Sequence, residues 1–254
     1  MKERINKYFT DEDRAEALNL YERYVLSKEK NIPMFGKNFY TPNIWTWFEN
    51  NLCNKDFEIE TNGFFEGSER RMISFNNIYK NSFPMKLIKI QNTSKFSNLT
   101  HRDFLGGILS LGIERNKIGD LLVFENACYV PVHEDIESFI IYNIDKIAKV
   151  VCSVEVIDNI EFLPEFTFEE EIILVSSLRI DSVVSKITNI SRAKAVAMIE
   201  QGQVLINYIK IKDKSYELKG EERITIRGFG KFIIGNSIGN SKSGKMKMII
   251  KKYT

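Results

Sequence analysis

The sequence predicts a mixed α/β (α+β) chain in three parts: a helical N-terminal domain, a middle domain alternating strands with helices, and a small module of two short helices on a β-sheet. Three observations predict this. Near the N-terminus Ala17, Leu20, Tyr21, Tyr24 and Val25 recur at helical spacing. Between residues 71 and 158, short β-rich runs alternate with helical ones. After Ser177 basic residues crowd together, and two short helical runs precede several β-rich ones. A length of 254 residues holds one to three domains. Contents of 43% hydrophobic and 28% charged residues are an ordinary globular balance.

Residues 10–28 read as a helix, opened by Thr10 and Asp13 in the manner of a capping box. Pro33 and Gly36 mark a loop. A second helix covers 43–52, and its Trp45, Trp47 and Phe48 read as core. The stretch 61–71, with Gly63, Gly67 and Glu69-Arg70-Arg71, reads as a turn-rich connection. The first domain is therefore set at 1–70.

The middle domain, 71–158, has a clearer rhythm. Residues 85–91 alternate as a strand, and 102–111 form a helix with Phe104, Leu105, Ile108 and Leu109 on one side. Residues 121–124 and 129–132 are short strands joined by Glu125-Asn126-Ala127. A helix over 133–147 and a β-rich run over 150–157 follow. This β-α-β-β-α-β order is the ferredoxin-like, RRM-like plan. Residues 159–176 carry Pro164 and Glu169-Glu170-Glu171 and read as a linker. The last domain, 177–254, opens with helices over 178–186 and 191–201. Strands are expected at 204–207, 209–212, 223–227, 232–234 and 246–250.

The net charge of +2 conceals an asymmetry. Residues 177–254 hold 16 Lys and Arg against 6 Asp and Glu, a net +10, whereas residues 1–176 hold 20 against 28, a net −8. Such segregation points to a polyanionic partner for the C-terminal end. No apolar run reaches the ~18 residues of a membrane span. Met1 leads into charged residues, without the apolar stretch of a secretory signal. A cytoplasmic, monomeric protein without membrane contact is expected. Cys53, Cys128 and Cys152 are widely spaced, no CxxC occurs, and there are two histidines. No metal, no cofactor and no catalytic residue is therefore assigned, and the thiols are expected to be buried and free.

The C-terminal domain carries the chemistry. It contains Arg179-Ile-Asp181, then Ser191-Arg192, Lys194, Ile199, Gln201-Gly202, Val204 and Asn207. A helix capped by Ser191 presents free backbone N–H groups in its first turn. Arg192 and Lys194 lie in that turn, so backbone donors, the positive helix end and two cations converge on a phosphate site. Both side chains are expected to be exposed, so removing either should barely alter folding. Gly202 permits the turn into the next strand.

These residues resemble the S4 domain, an RNA-binding module whose pattern runs R-[LI]-D, S-R, then a helix closing on G-x-V-x-[VI]-N. The resemblance implies RNA binding through Arg179, Ser191, Arg192, Lys194, Gln201, Gly202 and the Asn207 turn, while Asp181 braces the first helix or Arg179. One departure is Tyr208, where most S4 domains have Gly after the Asn. Tyr208 and Lys210 complete that turn and, like Lys245 further on, are expected to contact RNA. Arg227-Gly-Phe-Gly-Lys231-Phe and Gly239-Asn-Ser-Lys-Ser-Gly-Lys245 are similar to one branch, the YlmH type. Upstream, Gly63-Phe-Phe-Glu-Gly-Ser-Glu-Arg70, Thr100-His101-Arg102-Asp103-Phe-Leu-Gly-Gly107 and the stretch from Gly112 to Asp120 are similar to it too. This wider resemblance implies a factor that binds structured rRNA and tRNA on the large ribosomal subunit, in rescue of stalled peptidyl-tRNA complexes. An association with cell division is also implied.

Arg227-Gly-Phe-Gly-Lys-Phe opens like the RRM signature, but Lys231 stands where an aromatic belongs. It is read instead as a basic loop in which Arg227 and Lys231 meet phosphate. The third strand of the middle domain, near Tyr129, lacks the signature, which argues against base stacking there. His101 and Arg102 open a helix and are a possible secondary RNA contact, with helix capping preferred. Neither histidine has a nucleophile or orienting acid in a recognisable motif. An S4-docked RNA-modifying enzyme and a cell-division adaptor are the alternatives to a non-catalytic RNA-binding protein.

Overall fold

The computed structural model describes every residue except Thr10, Lys95, residues 159–163, Thr167 and Thr254, along with the side chains of Asp11, Glu12 and Tyr253. The expected cap at Thr10 thus lies outside the described residues. The chain forms two compact units, Met1–Glu165 and Phe166–Thr254.

The first unit begins with helices α1 (Lys2–Tyr8) and α2 (Asp11–Lys30), strand β1 (Met34–Phe35), helix α3 (Pro42–Leu52), and strands β2 (Ile59–Asn62) and β3 (Met72–Phe75). Pro42 sits in the first turn of α3, where its missing N–H costs nothing. The three strands form an antiparallel sheet in the order β1-β3-β2. The N-terminal part is therefore not purely helical. Its sheet also includes β3, which lies past the boundary expected at residue 70. Phe48 and Phe75 are fully buried, and Trp47 nearly so. Trp45 is half-buried, its ring 4.6 Å from the Arg71 guanidinium and its Nε1 donating to Glu69 O at 2.8 Å.

The same unit continues with β4 (Met85–Asn92), α4 (His101–Leu109), β5 (Leu122–Phe124), β6 (Ala127–His133), α5 (Glu134–Asn143), β7 (Lys146–Ile147) and β8 (Val150–Val156). The sheet order is β5-β6-β4-β8-β7, all pairs antiparallel. This is the expected ferredoxin-like arrangement, with β7 added at one edge. Helix α5 stops at Asn143, short of the predicted 147, because Ile144 turns extended and Ile147 enters the sheet. Phe124 pairs with Ala127 across a two-residue turn, with Glu125 and Asn126 both at positive φ. Phe104, Ile108, Ile88, Val130 and Ile140 fill the core. The two sheets are knitted together: Asp120 accepts from the backbone N–H groups of Glu69 and Arg70 at 2.6 and 2.9 Å, and Phe39 N donates to Asn116 O at 2.7 Å.

The second unit comprises β9 (Phe168–Val175), α6 (Ile180–Thr188), α7 (Arg192–Glu200), β10 (Val204–Ile206), β11 (Ile209–Lys210), β12 (Arg223–Ile226), β13 (Gly230–Asn240) and β14 (Met246–Tyr253). Its antiparallel sheet runs β11-β10-β12-β13-β14-β9. Strand β9 occupies the stretch expected to be a linker. The acidic run that reads as linker is matched across the sheet: Glu170 pairs with Lys251 and Glu169 with Lys252. Opposite charges facing each other stabilise a strand pair. Ile173 and Val175 turn inward to the core, with Ile180, Val184, Ala195, Ile199, Val204 and Ile226.

Ile199 anchors α7 to this core, so Ile199→Ala should cost about 2–5 kcal/mol of unfolding free energy, measured by urea denaturation. Cys128 and Cys152 are buried, but Cys53 is exposed, against expectation, because it follows the C-terminus of α3. Burial also pushes the Cys128 thiol pKa up. A thiol reagent should label one cysteine of the native protein quickly and all three in denaturant; fast native labelling of three would contradict the packing.

Candidate nucleic-acid interface

Helices α6 and α7 are joined by a turn in which Asn189 is left-handed (φ 53°). Ser185 Oγ closes it by donating to Ile190 O at 2.7 Å. Ser191 caps α7, its side chain accepting from Lys194 N at 3.4 Å. The helix ends as the sequence predicts. Gly202 has φ +68°, Gln203 N reaches back to Met198 O at 2.9 Å, and Gly202 N reaches Ile199 O at 2.9 Å. This is the Schellman pattern, which a glycine adopts without Cβ strain.

The first turn of α7 meets the first turn of α6 through one carboxylate. Arg192 donates from Nε and Nη2 to Asp181 at 3.0 Å each. Arg179 donates from Nε and Nη2 to the same carboxylate at 3.3 and 3.1 Å. The Asp181 side chain is 4% exposed, whereas those of Arg179 and Arg192 are 38% and 51% exposed. The two cations therefore share a buried anion and keep their outer surfaces in solvent. Asp181 braces Arg179 as expected, and it also holds Arg192. The expectation that Arg192 is dispensable for folding needs correction, because its removal would strip a buried carboxylate of half its hydrogen bonds. Lys194 is exposed and fits the original expectation.

The other expected contacts lie elsewhere in the unit. Asn207 and Tyr208 form a two-residue turn between β10 and β11, both at positive φ (48° and 70°). Asn207 Oδ1 accepts from Arg223 N at 3.0 Å. Tyr208 adopts a conformation that favours glycine, and its hydroxyl accepts from Lys231 Nζ at 2.7 Å. Lys231 pairs with Thr225, and Thr225 with Leu205, on the sheet face turned away from the buried Ile224, Ile226 and Phe232. Arg223 and Lys251 both face Ile233 across neighbouring strands, so they belong to that outer face, and sequence reasoning missed them. Alternation along β12 and β14 was the available signal.

Lys210 lies near the end of α7, its Cδ 3.6 Å from where a Cβ on Gly202 would stand, and Gln201 Oε1 accepts from Gln203 Nε2 at 2.9 Å. Arg227 opens the β12–β13 turn, and Lys245 lies in the β13–β14 turn, where its N–H donates to Ser241 Oγ at 3.0 Å. Arg179, Ser191, Arg192 and Lys194 thus gather at the helix starts, while Lys231 lies on the outer sheet face and Lys245 in a hairpin turn. In the first unit, His101 and Arg102 are exposed in the first turn of α4. The capping there is done by Thr100 and Asp103, each bonding the other's backbone N–H. His133 is buried and caps α5, its Nδ1 accepting from Asp135 N at 3.2 Å, and burial lowers its pKa. Among the described residues no helix is long and apolar enough to cross a membrane.

Burial raises the Asp181 pKa, but hydrogen bonds from Arg192 and Arg179 outweigh it and hold the carboxyl below its ordinary value. A depressed folded-state pKa gives stability that is fully present above the unfolded value, about 3.9. That stability is lost as pH falls through the folded value. The stability gap between wild type and Asp181→Asn should therefore be constant from neutral pH down to about 5 and close below about 4. Urea unfolding across pH measures it, and a gap unchanged at about pH 3 would rule out the paired carboxylate.

Residues 79–161 match the family model described as "Putative RNA-binding domain in YlmH", and residues 178–224 match the S4 domain. The chain is 28% identical over 174 residues to the ribosome-associated protein quality control protein P2 of Bacillus subtilis (strain 168), covering 68% of each chain. It also matches a solved structure of the cell division protein YlmH from Streptococcus pneumoniae at 24% identity and a TM-score of 0.49, over 61% of this chain and 97% of that one. The chain thus carries the YlmH RNA-binding domain followed by an S4 domain, and the Bacillus subtilis protein is its homologue.

Proposed function

We propose that this protein is a non-catalytic factor that binds structured ribosomal or transfer RNA on the large ribosomal subunit and acts, as a monomer, in rescue of stalled peptidyl-tRNA complexes. The observation that carries the reading is the start of α7. There Ser191, Arg192 and Lys194 share one turn, and Arg179 joins them through Asp181. A helix N-terminus with unpaired N–H groups, flanked by cations, suits a phosphate. The second unit holds 16 basic and 9 acidic residues, a net +7, and the first unit 20 and 25, a net −5. A polyanion is attracted to the former. The homologue's association with ribosomes and protein quality control favours the ribosome as the source of that RNA. The stalled peptidyl-tRNA is implied by the YlmH-type resemblance.

Lys194 is the clean probe, because it is exposed and has no part in the Asp181 pairing. Lys194→Ala should leave the unfolding midpoint unchanged and weaken binding to purified large subunits. The slope of log affinity against log salt should become shallower by up to ~0.9 for one lost phosphate contact. Co-sedimentation over a salt series measures both. Wild type that stays unbound, or a variant with unchanged affinity and slope, would remove the ribosome anchor from this face.

A further inference from the structure

We propose that Asp181 is a positioning residue for RNA: it holds the Arg179 and Arg192 guanidiniums in one fixed orientation, so that together they form a preset clamp for phosphate. The inference rests on the reading above and specifies how its site works. Each guanidinium spends its Nε and Nη2 on the carboxylate. A guanidinium is planar with five N–H donors, so fixing one edge fixes the direction of the donors that remain. Those remaining donors lie on side chains that are 38% and 51% exposed, whereas the carboxylate behind them is 4% exposed. The anion is thus enclosed and the cations open outward.

The backbone on either side is pinned as well. Ile180 N donates to Tyr216 O at 2.8 Å, Leu218 N donates to Leu178 O at 2.9 Å, and Ser191 caps α7. Two long side chains that would otherwise sample many rotamers are ordered before any ligand arrives, which lowers the entropy cost of binding. The acidic neighbours Asp213 and Glu217 add to the field at Arg179, whereas Asp181 accepts its hydrogen bonds directly and so orients it.

Charge and position predict opposite outcomes, which makes the inference testable. Asp181→Asn removes a negative charge from a basic face. If Asp181 only tempers the charge, a polyanion should bind the variant more tightly. If it positions the arginines, binding should weaken despite the gained charge.

The experiment measures affinity of the full chain for purified large ribosomal subunits across a salt series, well below the unfolding midpoint. We expect Asp181→Asn to bind about three- to tenfold more weakly, as befits a misplaced charge-assisted contact. Its salt slope should be shallower than wild type. Asp181→Glu keeps the charge and shifts the carboxylate by one methylene, so it should also weaken binding; it carries the test if Asp181→Asn does not fold. Arg192→Lys should weaken binding too, and adding it to Asp181→Asn should cost little more.

Asp181→Asn binding as tightly as wild type or tighter, with Asp181→Glu unchanged, would overturn the positioning role. If Lys194→Ala still weakened binding in that case, the RNA-binding reading would stand. Wild type that fails to bind subunits would overturn both.

Discussion

The carboxylate of Asp181 is the constraint on which the rest of the second unit turns. An ionised carboxylate with almost no solvent access is expensive unless nearly every lone pair is engaged. Here two guanidiniums engage it, one from the residue preceding α6 and one from the first turn of α7. Satisfying that single group fixes the distance between the two helix starts. The Asn189 turn, the Ser185–Ile190 bond and the Ser191 cap then have one geometry to meet. The position of Asp181 in the first turn of α6 adds the favourable field of the helix N-terminus.

Beneath the helices, the sheet supplies rigidity by simpler means. Ile180, Val184, Ala195 and Ile199 press down on Val204, Ile224 and Ile226. Strands β9 and β14 add Ile173, Val175, Met248 and Ile250 to the same core. The opposite face of the sheet carries Arg223, Lys231 and Lys251 with Leu205 and Ile233 between them. A small basic domain therefore spends its apolar residues on holding two helix starts in register, and its charges on both sides of the frame.

Much of this was legible in the sequence, for local reasons. The cap at Ser191 and the stop at Gly202 obey rules that involve only a few consecutive residues. The ferredoxin-like order followed from the change in apolar period along residues 85–156. What escaped notice was non-local. Strand β9 hides behind three glutamates whose partners stand some eighty residues later in β14. Strand β3 pairs with β1 and β2, both earlier in the sequence, so a linear boundary at residue 70 cuts it off from its sheet. The Arg192–Asp181 pairing is not legible in the sequence because the partners are eleven residues apart and the turn between them folds back. Tyr208 shows the same limit: its left-handed backbone accompanies a hydroxyl bonded to Lys231, a contact that no adjacent residue announces.

On the proposed reading, the position of Asp181 also bears on how such a surface would tell structured RNA from any other polyanion. Cations on flexible stems attract every phosphate about equally, and the attraction fades with salt. Guanidiniums held at a fixed separation reward only phosphates that arrive with matching spacing and direction, because bidentate hydrogen bonds are strict about geometry. Placing a carboxylate between two arginines reduces the long-range pull of the face and sharpens its short-range demand. A folded RNA, whose backbone holds its phosphates in fixed places, meets that demand without reordering; a flexible strand must be ordered first, at an entropic cost. On that reading, the buried carboxylate behind the two arginines would convert part of a general electrostatic attraction into recognition of shape.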